Sequence, residues 1–65
     1  MSIDRIRLSG HLGFGNRGLV LNTKDEALWI VESEEPVDQL LGKEVIVEGI
    51  VVGLDRVKAD WIGAR

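Results

Sequence analysis

The chain has 65 residues, of which 29% are charged, a net charge of −3 and no cysteine. That length holds one hydrophobic core and no second domain, so residues 1–65 are read as a single unit. Disulfide staples are excluded, the lone His11 cannot anchor a zinc site by itself, and the acidic balance is the wrong sign for a general nucleic-acid binder.

Ile6, Leu8, Gly10 and Leu12 alternate with Arg5, Arg7, Ser9 and His11, the two-residue period of a half-buried strand. Gly13-Phe14-Gly15-Asn16-Arg17-Gly18 follows, rich in residues that reach positive φ cheaply, and predicts a sharp turn. A second strand is expected over Leu19–Thr23 and a third over Ala27–Glu32, joined by Lys24-Asp25-Glu26, a connection of hairpin length. The stretch Ser33 to Gly42 changes character. Pro36 suits a first helical position, the acids suit the positive helix start and Gly42 suits the stop, which predicts one or two helical turns. Val37, Leu40 and Leu41 then share an inward side, as a plug for one end of a barrel.

The alternation resumes with Val45, Val47, Gly49 and Val51 against Glu44, Ile46, Glu48 and Ile50, and Gly49 marks the bend or bulge that a curled strand needs. A last strand is expected over Leu54–Ile62, with Val57, Ala59 and Trp61 on one face and Arg56, Lys58 and Asp60 on the other. Three strands, a short helix and two strands is the order of an all-β, five-stranded OB-type barrel, whose helix lies between strands three and four. An SH3-like small barrel is the alternative, but its helical turn normally comes just before the last strand.

Two segments carry a resemblance. Leu40-Leu41-Gly42-Lys43-Glu44-Val45-Ile46-Val47-Glu48-Gly49 resembles a pattern found across short bacterial OB-like domains. The run Gly53 to Gly63, together with Gly18-Leu19-Val20-Leu21 and Leu28-Trp29, is similar to a family of short, uncharacterised bacterial proteins. The likeness spans roughly Leu8 to Gly63. It implies the fold and no activity.

The glycine spacing of Gly13 to Gly18 matches a dinucleotide-binding loop, but that motif needs a helix after it and Leu19-Val20-Leu21 continues as a strand. The same loop in a protein kinase requires a lysine strand, a catalytic loop and magnesium ligands that the chain has no room for. Glu32, Glu34, Glu35 and Asp38 lack the glycine-turned spacing of a calcium loop, and His11 has only Ser9 and two arginines as expected face neighbours. No catalytic residue, cofactor site or metal site is therefore expected, and the chain is read as a non-enzyme.

Two candidate surfaces remain. Strands three and four are apolar on both sides, so something covers the outside: the N-terminal segment, a partner protein, or a second copy as in a homodimer. Ile46, Ile50 and Val52 are the expected interaction face. The other surface is an OB-type ligand face of Phe14, Arg17, Trp29, Arg56 and Lys58, where rings stack bases and cations meet phosphates. With one or two platforms on an acidic protein, single-stranded nucleic acid would be held weakly. A non-catalytic binding or self-association module is the leading expectation. No run approaches the ~18 apolar residues of a membrane span, so a cytoplasmic protein is expected.

Overall fold

The structure is a computed structural model that describes residues 5–65. Five strands form one sheet: β1 (Arg5–Gly15), β2 (Gly18–Thr23), β3 (Leu28–Glu32), β4 (Glu44–Val51) and β5 (Arg56–Ala64). They close into a barrel-like ring in the order β1-β2-β3-β5-β4. Every pairing is antiparallel except that of β3 with β5, which run parallel.

β1 is long because it serves two neighbours. Its first half pairs with β4 from Arg5↔Ile50 to His11↔Glu44, and its second half with β2 from Gly10↔Thr23 to Gly15↔Gly18. Gly13, Phe14 and Gly15 therefore belong to the strand, and the expected turn narrows to Asn16-Arg17, with Gly18 at φ 109° absorbing the reversal. At Gly10 the strand passes from one partner to the other. A Cβ there would run into the backbone carbonyl of Asn22.

The inward face of each strand follows from the register. Leu12 faces Leu21, Leu21 faces Trp29, and Val31 faces Val57. With Val37, Val45 and Val47 these residues form the core, and Trp29, Leu40, Leu41 and Ile62 pack against it half-buried. The two strands with doubled apolar faces are thus oriented: Trp29 and Val31 point inward on β3, and Val45, Val47 and Gly49 on β4.

Two expectations are corrected. The helix over Pro36–Leu41 is only a 3-10 turn at Asp38–Leu40. The Ser33 hydroxyl accepts the Glu35 N–H at 3.2 Å, a local bond that competes with helix, and Glu35 precedes a proline, which disfavours the α region. Beyond Leu41, Gly42 and Lys43 bond to the Leu12 backbone at 2.7 and 3.0 Å, so the chain is already pairing with β1. The inward plug nevertheless forms from the three expected residues.

The second correction is in β5, which starts at Arg56 rather than Leu54. Its register with β4 shifts between Glu48 and Gly49: Gly49 lies opposite Ala59, Glu48 opposite Trp61, and Asp60 is the extra residue of a bulge. One inserted residue reverses the alternation after it. Trp61, expected beside Val57 and Ala59, is carried to the outer face and left 50% exposed, and Ile62 takes the inward place. A Cβ on Gly49 would collide with the Lys58 carbonyl, so glycine permits the close approach at this corner.

Gly10→Ala and Gly49→Ala should each destabilise the protein by ~1–3 kcal/mol, because the added methyl meets backbone that cannot yield. Gly13→Ala, where a Cβ meets nothing within 4 Å, should stay within about 0.5 kcal/mol. Thermal melts of the three variants check this, and equal melting temperatures would contradict the two close approaches.

Candidate interaction surface

The outer face of β2 and β3 lies between the β1–β2 hairpin and the β4–β5 turn. Val20, Ile30 and Arg56 are neighbours across it, as are Glu32 and Lys58. Ile30 points outward yet is only 8% exposed. Its amide donates to the Asp55 carbonyl at 2.7 Å, which draws the β4–β5 turn onto the edge of β3. Arg56 donates to Glu32 at 2.8 Å, and Arg17, at the tip of the β1–β2 hairpin, reaches Asp55 at 4.0 Å. The two flanking loops are thereby clasped to each other by charge.

Elsewhere on the strands and loops, several large apolar side chains stand about half or more exposed. Phe14 is 74% exposed, Leu28 58%, Val52 49%, and Leu54 fully so. Phe14 continues the inward phase of β1 but lies beyond Leu12, where the core has ended. Leu54 sits between Gly53 and Asp55 in a turn that has no inside to offer it. Sequence reasoning did not single out Leu28 or Leu54. An apolar residue inside a Gly-Leu-Asp turn was the available signal for Leu54.

The expected ligand face is not gathered on one surface. Trp29 is on the inner side, packed against the core, whereas Arg56 and Lys58 are on the outer side. Arg17 and Arg56 are engaged with Asp55 and Glu32. His11 points outward, 4.0 Å from Glu44 on the neighbouring strand. Among the described residues no three His, Asp or Glu side chains are grouped to hold a metal ion, and no helix is long and apolar enough to cross a membrane.

The other expected face, on the outside of β4, is partly covered by its neighbours. Ile46 and Ile50 are half-buried, and Val52 follows the strand. Arg5 forms a two-point contact with Asp60, at 2.8 Å from Nη2 to Oδ1, and both Arg5 and Arg7 approach Glu48 at 3.7 Å. The Trp61 ring lies over Gly63, the residue paired with Ile46. The cover expected of an N-terminal segment thus begins with the side chains of β1; residues 1–4 lie outside the described residues.

The hydrogen bond and positive charge of Arg5 hold the Asp60 carboxyl below its ordinary range, and the Thr23 hydroxyl does the same for Asp25. A carboxyl depressed in the folded state adds stability above its unfolded pKa and loses it as pH falls through the lower folded value. Stability should therefore decline on acidification below about pH 4. Asp60→Asn should flatten part of that slope, by a small amount because the pair faces solvent. Urea melts of both proteins over a pH series measure the difference; parallel slopes would contradict the pairing.

No curated protein and no solved structure matches the chain. A family model described as a protein of unknown function, DUF5818, matches residues 9–65. The chain accordingly belongs to that family.

Proposed function

We propose that the protein is a non-catalytic interaction module on an OB-type barrel, which meets its own copy or another protein through the outer face of β2–β3 and the two loops beside it. The strand order β1-β2-β3-β5-β4, with β3 parallel to β5 and the helical turn between β3 and β4, supports the OB reading over an SH3-like one. The observation that carries the interaction reading is a set of exposed apolar side chains. Phe14, Leu28, Val52 and Leu54 stand exposed, while the nearby cations Arg17 and Arg56 are already paired with Asp55 and Glu32. Burying one such side chain against a partner contributes ~1.5–3 kcal/mol, enough for a few of them to hold a contact.

A nucleic-acid reading draws less support from the geometry. With Trp29 inward and two arginines neutralised, Phe14 and Lys58 are what remain of its set. Phosphate contacts would also have to overcome a net charge of −3.

Sedimentation velocity over a wide concentration range separates these readings. The weight-average mass should rise above the 7.2 kDa monomer as concentration increases, persist in added salt, and return to monomer in Leu54→Asp. A constant monomer mass would overturn self-association. An oligonucleotide that shifts fluorescence anisotropy at low salt, with a steep loss on adding salt, would favour nucleic acid instead.

A further inference from the structure

The ring is closed on one side by very little. β3 pairs with β5 at only three positions, the last being Glu32↔Lys58, after which the chain leaves the sheet through Ser33–Val37. β5 continues to Ala64, bonded to β4 alone. Among the described residues no backbone hydrogen bond joins Ala59–Gly63 to the segment that departs from β3. The gap between them is a groove of about 710 Å³. Its floor includes Val37, Leu40, Ala59 and Ile62, apolar side chains of the core and its margin.

An unpaired strand edge beside an apolar floor is the arrangement to which an extended peptide adds as a further strand. Main-chain hydrogen bonds supply the affinity there, and alternate side chains the selection. The rim states which side chains fit. Glu32, Glu34, Glu35 and Asp60 line the groove, and among the described residues that line it Lys58 is the one cation. Glu32 and Asp60 already have arginine partners, and Glu34 and Glu35 are exposed. On the facing wall stands Trp61, half exposed because the bulge turned it outward, with a ring face suited to a cation. In a two-fold contact a second copy would bring the same acidic rim to the same place, so like charge disfavours that occupant.

We infer that the groove along the open edge of β5 binds an extended, basic segment of a partner protein by strand addition, with Glu34, Glu35 and Trp61 selecting lysine or arginine. This inference does not rest on the apolar loop face, which meets the groove only at Glu32 and Lys58 and shares none of Glu34, Glu35 and Trp61.

The probe is a short, end-capped peptide of alternating valine and lysine, added to the isotope-labelled full chain and followed by amide chemical shifts. Saturable shifts should centre on Ala59–Gly63, Ser33–Val37 and the Trp61 indole. Methylating alternate peptide amides, which removes the strand hydrogen bonds, should weaken binding about tenfold or more, and so should the double variant Glu34→Lys, Glu35→Lys. Both glutamates are exposed, so the fold should tolerate their replacement. Leu54→Asp should leave peptide binding intact, which keeps this test separate from self-association. The inference is overturned by any of three results: no shifts at about 1 mM peptide, shifts confined to the β2–β3 face, or equal binding by the methylated peptide. Concentration-dependent shifts in the groove without peptide would point to a second copy and overturn it as well.

Discussion

The parallel pairing of β3 with β5 is the constraint on which the rest of the structure depends. It is three residues long, Ile30 to Glu32 against Arg56 to Lys58. Without it the same strands form an open sheet with two exposed edges, and Val31 does not meet Val57 in the core. Chains of this size bury only ~60% of the surface they expose when unfolded, and this one has no disulfide to assist. Closing the sheet is how a small set of valines and leucines becomes fully enclosed. Val45, Val47 and Val57 reach zero exposure even though each is a small side chain.

The shortness of that closure also shapes the surface. Where pairing begins, the Ile30 amide takes the Asp55 carbonyl and sets the β4–β5 turn within reach of Arg17. Where pairing stops, β3 departs and the edge of β5 is left facing a groove. Just beyond that stop the Asp60 bulge exchanges the faces of β5 and places Trp61 outside. The outside of β2–β3 consequently carries paired charges, with exposed apolar side chains on the strands and loops beside it, and the open edge of β5 faces an acidic groove with an aromatic wall. The outer side of β4 lies under its own ion pairs.

Much of the architecture was legible in the residues because period-two alternation reports which side of a strand is buried. Leu12 and Val57 are readable in that way, Gly49 marks the bulge, and the order of elements stands as expected; Val45 and Val47 are not, because Ile46 and Ile50 are as apolar on the opposite side and only the pairing with β1 and β5 decides between them. The bulge's consequence was not readable. Alternation alone does not say on which strand the extra residue lies, so Trp61 was assigned by uninterrupted counting. The helix was overestimated for a related reason. Pro36 and the acids near it favour a helix start locally, but the hydroxyl of Ser33 and the pairing of Gly42 and Lys43 with β1 compete for the same backbone groups. On β3, Leu28, Trp29, Ile30 and Val31 are all apolar, and only the register with β2 assigns Trp29 to the inside. That assignment divides the expected ligand face. The clasp of Arg17 and Asp55 joins residues far apart in the chain, which no local pattern reveals.

The closure itself can be measured by nuclear magnetic resonance on the full chain. Interstrand Overhauser contacts are expected between backbone protons of Ile30–Glu32 and Arg56–Lys58, together with slow hydrogen exchange at the Ile30 amide. An Ile30 amide that exchanges as fast as unstructured chain, with the start of β5 in contact with β4 alone, would contradict a closed ring and the two surfaces derived from it.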